Sequence, residues 1–69
     1  MVGMGSMDVI AEANRIKDRL RACKTRAEVE DVADQERAQV KAMHDQGGEP
    51  QTLAGHIVRL KEQCLRDLE

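Results

Sequence analysis

The sequence predicts an all-α fold, a small three-helix bundle running up, down and up and completed by homodimerisation. Apolar residues recur at helical spacing along three stretches, turn signals separate those stretches, and no alternating β-branched run indicates a strand. The chain has 69 residues and no Phe, Tyr or Trp. A core of smaller side chains in so short a chain is marginal, so self-association or a partner would supply additional buried apolar area.

We expect one helical domain over residues 7–69. The preceding residues 1–6, Met-Val-Gly-Met-Gly-Ser, are interpreted as a disordered leader or an expression scar, with Met7 as the natural start. A natural flexible tail is the alternative interpretation.

The first helix is predicted over about residues 7–24, with Ser6 or Asp8 near its N-cap. Its second half is basic, because Arg and Lys dominate from Arg15 to Arg26. Its apolar stripe is narrow and consists of Val9, Ala13, Ile16, Leu20 and Cys23.

A reversal of the chain is predicted at Thr25, which stands three residues before Glu28 in the pattern of a capping box. The threonine oxygen is expected to accept from the N–H of Glu28, and the glutamate to reach back to the N–H of Thr25. The reversal would lay the basic half of the first helix against the acidic residues 28–34.

The second helix is predicted over about residues 26–45 and is expected to end at Gly47-Gly48, with a loop through Glu49 and Pro50. Its apolar stripe consists of Val29, Val32, Ala33, Val40 and Met43.

The third helix is predicted over about residues 50–68, starting at Pro50 or Thr52. Its apolar residues cover an arc of about 160°, wider than the stripe of either other helix. Val58 and Leu65, one heptad apart, extend this face beyond what a thin bundle needs. With Leu68 they form the predicted partner-binding surface, since an exposed apolar face of this kind usually marks an interface.

Glu36 lies in the middle of the second apolar stripe, where a lone carboxylate is costly to bury. Counted from the two turns, Lys61 of the third helix and Arg15 of the first lie at about its height. We therefore predict a buried pair of Glu36 with Lys61 or with Arg15. Such a pair is expected to be structural, for example by fixing the register of a dimer.

The sequence favours no enzyme, no cofactor and no metal site. The chain has 2 His and 2 Cys, but His56 and Cys64 would lie about 12 Å apart along one helix, too far to share an ion. No apolar stretch approaches membrane-spanning length. With no disulfide or secretory pattern, we expect a cytoplasmic setting with reduced thiols.

The leading functional hypothesis is a non-enzymatic interaction protein, a homodimer that binds and modulates a larger partner protein as an inhibitor, adaptor or regulator. One alternative is a nucleic-acid-binding regulator that uses Arg15 and Arg19 on the basic face of the first helix. Aromatic residues for base stacking are absent from the sequence, which weighs against that alternative. A second alternative is a structural assembly or capping subunit.

Overall fold

A computed structural model describes residues 6–69 of the chain, and these residues form helices without a strand. The prediction of an all-α fold is confirmed. The interpretation of residues 1–6 falls on residues 1–5, which lie outside the described residues, and on Ser6, the first residue of the first helix. The structure has four helices where three were expected: α1 (Ser6–Ala22), α2 (Arg26–Gln35), α3 (Arg37–Gln46) and α4 (Gly48–Asp67).

The reversal after α1 is closed by Thr25, the N-cap of α2. Its hydroxyl oxygen accepts from the N–H of Glu28 at 3.1 Å, as predicted. The reciprocal bond is displaced by one residue, because the Glu28 carboxylate accepts from the N–H of Lys24 at 2.6 Å rather than from that of Thr25. The backbone N–H groups of Lys24 and Glu28 therefore both donate to side-chain oxygens within the turn.

The predicted second helix is broken at a single residue, Glu36, which separates α2 from α3. Glu36 has φ −96° and ψ 4°, outside the usual helical range. Helical hydrogen bonds still reach Glu36 from both sides. Its N–H donates to Val32 O at 3.0 Å, and its carbonyl oxygen accepts from the N–H of Val40 at 2.9 Å. α2 and α3 thus occupy the place of one interrupted helix, and the interruption falls on the carboxylate within its apolar stripe.

The connection from α3 to α4 is shorter than predicted, since α4 begins at Gly48 and not at Pro50 or Thr52. Gly47 and Gly48 adopt φ values of 71° and 58°, which favour glycine. Pro50 falls in the first turn of α4, where its missing N–H removes no helical hydrogen bond. Two glycines with positive φ therefore replace the expected loop.

The core lies where the four helices meet, since α4 packs against α1 and α3 while α2 contacts both α1 and α4. The predicted stripe of α1 is buried at its centre, and only one or two apolar residues are fully buried on each other helix. The molecule measures 42 × 18 × 16 Å. The buried apolar residues are Ala13, Ile16, Leu20, Val29, Met43, Ala54 and Ile57.

No helix found between residues 6 and 69 combines the length and the apolar sequence that crossing a bilayer requires.

Candidate functional site: a charge cluster beside an open groove

The buried carboxylate of Glu36 is bound by two arginines of α1, and its side chain is 8% exposed. Arg15 donates from Nη1 to Oε2 at 2.8 Å and from Nη2 to Oε1 at 2.9 Å, a bidentate arrangement. Arg19 donates from Nη1 to Oε2 at 2.6 Å. The two arginines lie four residues apart, so one face of α1 presents both to the break between α2 and α3.

Further acceptors orient the two guanidinium groups. Arg15 also pairs with Glu12 of its own helix, and Arg19 donates from Nη2 to the side-chain oxygen of Gln35 at 2.8 Å. We call Arg15, Arg19 and Glu36, with Glu12 and Gln35, the charge cluster. It joins α1 to the break through hydrogen bonds at both carboxylate oxygens of Glu36.

The hydrogen bonds of the cluster shift the pKa values of Glu36 and Arg15. Hydrogen bonds from Arg15 first, and from Arg19 second, lower the pKa of Glu36 to about 2, although burial acts in the opposite direction. The bonds to Glu36 and Glu12 raise the pKa of Arg15 above its ordinary value. Glu36 is therefore ionised at neutral pH, and the cluster is a fixed ion network.

The predicted pair of Glu36 with Lys61 is corrected by the structure, which contains the alternative pair with Arg15 and adds Arg19. Lys61 lines the groove together with Glu36, but among residues 6–69 no ion pair joins the two side chains. Height along the helices was counted from the turns, whereas the direction in which Glu36 points around its helix decides the partner. The expected contact of the basic half of α1 with residues 28–34 is replaced in the same way, since its ion pairs across helices go to Glu36.

Beside the charge cluster, an open groove of about 710 Å³ runs between α2–α3 and α4. Its floor is made by the apolar core residues Ile16 and Leu20 of α1 with Ala54 and Ile57 of α4. The small residues Ala33 and Gly55 widen it, because neither fills the space with a long side chain. These floor residues are at most 4% exposed and belong to the core, whereas Val58 is a large apolar side chain of the lining that lies 46% exposed.

The α2–α3 wall of the groove carries charges in a definite order. Glu30 and Asp34 line it along α2, and Arg37 and Lys41 follow along α3. His44 and Asp45 close this wall near Gly47. Lys41 donates to Asp45 at 3.1 Å, and this bond lowers the pKa of Asp45.

The predicted partner-binding residues lie in three places: at the groove, against the core and in the charge cluster. Val58 and Leu65 line the groove, together with Lys61. Leu68 is half-buried against the core at the end of α4. The predicted nucleic-acid contacts Arg15 and Arg19 lie in the charge cluster instead, where their side chains remain 47% and 38% exposed.

Comparison of the chain with protein-family models, with curated proteins and with solved structures finds no match.

Metal ligation has no geometric basis between residues 6 and 69, where no three His, Cys, Asp or Glu side chains converge. Cys23 and Cys64 are free thiols. The Cys23 thiol donates to Arg19 O at 3.2 Å and the Cys64 thiol approaches Leu20 O at 3.8 Å, so both pack near the end of α1. Burial raises the pKa of Cys23, which favours the unreactive thiol form.

Sequence reasoning missed the second arginine of the cluster and the groove itself. The i, i+4 spacing of Arg15 and Arg19 was the available signal for the first, because one buried carboxylate has acceptor sites for two guanidinium groups. No comparable signal existed for the groove. Its residues come from all four helices, and only their packing creates it.

Proposed function

We propose that this chain is a small, non-enzymatic protein-interaction module that binds and modulates a larger partner protein, taking an apolar helical surface into the groove. The observation that carries the proposal is Val58, a large hydrophobic residue that lines the groove and is 46% exposed. Apolar grooves between helices are a recurrent docking site for amphipathic helices. Homodimerisation, which the sequence predicts, is a second use of the same surface.

Binding fits the groove better than catalysis does. Its lining contains no hydroxyl or thiol side chain for His44 to activate as a nucleophile. Its charges stand on the rim around an apolar floor, the arrangement typical of a protein interface with a dry centre and a polar edge. We propose a cytoplasmic setting, in which the two cysteines remain reduced.

Engagement of Arg15 and Arg19 by acceptors of their own chain favours this proposal over phosphate binding. An arginine that already donates to a buried carboxylate must break that bond, or share its remaining donors, to contact a phosphate. Contacts to protein at the groove require no such rearrangement.

The test begins with a photo-reactive phenylalanine analogue at Val58, cross-linked in cells of the host organism and read by mass spectrometry. The captured protein is then purified and its affinity measured by calorimetry. We expect Val58→Asp to weaken binding roughly tenfold or more, because a charge replaces an apolar side chain that the partner is proposed to bury.

Ile10→Asp is the matched control. Ile10 is 40% exposed, close to the 46% of Val58, and it stands outside the groove. The proposal fails if both variants bind the purified partner as tightly as the wild type. A capture that consists only of nucleic-acid complexes, lost on nuclease treatment, would favour the basic-face alternative instead.

A further inference from the structure

We propose that in the free protein the groove is covered by the groove of a second copy, turned antiparallel about a twofold axis at the level of Val58. This inference rests on the proposed function, because it assigns an occupant to the same surface. A twofold interface uses one patch on both subunits, so the patch must be complementary to itself. The groove meets this condition in charge, in the position of its exposed valine and in shape.

The charge order along α2–α3 is complementary to its own reversal. Glu30 and Asp34 are four residues apart, as are Arg37 and Lys41, and all of them line the groove. An antiparallel copy places Asp34 opposite the partner copy's arginine at 37 and Glu30 opposite its lysine at 41. Both pairings share one centre, between residues 35 and 36 of the sequence, so a single register satisfies them together.

The exposed valine of α4 lies at the level of that centre. Val58 stands eleven residues after Gly47, and Glu36 stands eleven residues before it. Because α3 and α4 leave Gly47 in opposite directions with the same rise per residue, Val58 and Glu36 lie at about the same height. The largest uncovered apolar side chain of the groove is thus placed on the proposed axis, where it meets its own copy.

The shape of α4 around Val58 allows this approach. Gly55 and Lys61 lie three residues to either side of it and both line the groove. The twofold therefore places Lys61 over Gly55 of the other copy. A Cβ at Gly55 would have no atom within 4 Å, so there is room for the aliphatic stem of the lysine to lie there while its ammonium stays in water.

A second copy fits this surface better than a partner with a rim charge of one sign. Such a partner would be attracted by half of the α2–α3 wall and repelled by the other half, because the wall changes from acidic to basic at its middle. Self-association and partner binding then compete for the groove, and the partner must displace the second copy.

The first test is cysteine cross-linking in a background with Cys23→Ala and Cys64→Ala, with folding checked by circular dichroism. Val58→Cys is expected to form a disulfide-linked dimer under oxidised glutathione. Leu65→Cys is expected to form none, because seven residues of helix put it about 10 Å from the axis and about 21 Å from its copy. A disulfide needs Cα atoms within about 7 Å. Ile10→Cys is the control outside the groove.

Two results overturn the inference. Self-cross-linking of Leu65→Cys as efficient as that of Val58→Cys indicates parallel helices. Absence of a cross-link at Val58, with a monomeric mass by sedimentation at high protein concentration, removes the second copy from the groove.

The second test keeps both native cysteines and uses charge reversal. Glu30→Lys with Asp34→Lys makes the four positions 30, 34, 37 and 41 all basic, and Arg37→Glu with Lys41→Glu makes the same four positions all acidic. Each variant alone is expected to be monomeric by sedimentation, whereas a 1:1 mixture restores a dimer containing one chain of each. Two variants that both dimerise alone, or a mixture that stays monomeric although both chains are helical, contradict the charge register.

These measurements use only the purified chain, so their failure is separate from a failure of the proposed function. A chain that remains monomeric and still binds its captured partner through Val58 keeps the function and loses the dimer. A chain that dimerises as described and captures no partner sensitive to Val58→Asp keeps the dimer and loses the function.

Discussion

The charge cluster and the groove lie side by side and share Glu36, yet the chain satisfies them to different degrees. In the cluster, both carboxylate oxygens of Glu36 accept hydrogen bonds from arginines of α1. In the groove, Val58 lies 46% exposed beside floor residues such as Ile16 and Ile57, which are buried. One region is closed by contacts within the chain, and the other keeps a large apolar side chain exposed to solvent.

The difference shows how a short chain without aromatic residues distributes its interactions. The helices α1, α2–α3 and α4 enclose a core only on the sides where they touch. Small side chains leave the cleft between α2–α3 and α4 unfilled. Polar groups in the closed region must be paired, because a buried charge without a partner is costly. The exposed apolar side chain of the groove carries no such requirement, since apolar atoms make up much of the surface of a folded protein. The cluster therefore satisfies a buried charge within the fold, and we propose that the groove serves binding.

The largest effect is expected from removing both arginines of the cluster. Arg15→Ala with Arg19→Ala leaves the Glu36 carboxylate buried and without its donors, which should cost about 3 kcal/mol of unfolding free energy. Urea denaturation measures the loss. Arg21→Ala is the control, because Arg21 is 59% exposed and, within residues 6–69, its ion pair is the one to Asp18 at 3.5 Å. This variant should change stability by less than about 0.5 kcal/mol. Equal losses in the two proteins would show that the cluster contributes no more than a surface pair.

Acid should lower the unfolding free energy somewhat less than the double arginine variant does. Protonation neutralises the Glu36 carboxylate, whereas the double variant leaves it charged and without donors. The folded-state pKa of Glu36 is lowered from 4.5 to about 2. Its contribution is therefore complete above pH 4.5 and is lost as pH falls through about 2. We expect about 2 kcal/mol, below the full value of the shift, because the arginines are partly exposed to solvent.

The pH prediction is checked by following the unfolding free energy of the wild type and of Glu36→Gln between neutral pH and pH 2. The stability gap between the two proteins should shrink as pH falls, since the wild-type side chain becomes neutral like the amide. A gap that stays constant across this range would assign the loss to other carboxylates of the chain.

Whether a feature of the fold could be predicted from the sequence depends on whether that feature is local. The apolar stripe of α1 was readable from spacing, because Ala13, Ile16 and Leu20 recur at helical intervals and are buried together. The cap at Thr25 was readable because its bond to Glu28 spans only three residues. Both features are decided within one or two turns of chain.

Features decided by contacts between helices were harder to predict. Helical periodicity runs through Glu36 unchanged, so nothing local indicated the break at that residue. The choice of Arg15 and Arg19 over Lys61 depended on which way the carboxylate points, and spacing gives only its height. At Gly47 and Gly48, the sequence indicated a turn but not that two positive φ values would make it so short.

A smaller effect of opposite sign is expected at Gly55, on the groove side. A Cβ there has no atom within 4 Å, so Gly55→Ala should raise the stability of the monomer by about 0.5–1 kcal/mol through helix propensity. The same methyl group stands where the second copy is proposed to approach, and it should weaken dimerisation. Urea denaturation in dilute solution and sedimentation at high concentration separate the two changes. Stability and dimer affinity that rise together would mean that Gly55 is not a contact.

The smallest effect is expected from Glu36→Leu, which removes the residue shared by both regions. Arg15 and Arg19 are 47% and 38% exposed, so without the carboxylate they return to water and no buried charge is left unpaired. The leucine continues the apolar stripe of α2–α3 along the edge of the groove. Replacing a buried ion network by apolar side chains is often neutral, and we expect a change within about 1 kcal/mol by urea denaturation.

Glu36→Leu removes the acceptor of these hydrogen bonds, and the double arginine variant removes their donors. The two variants should therefore differ several-fold in their loss of unfolding free energy. This difference is expected when stranding a buried carboxylate without its donors costs more free energy than removing the whole ion network. If Glu36→Leu instead unfolds the chain, the arginines must be held at the break for the helices to assemble, and the cluster would then specify the fold rather than only satisfy a buried charge.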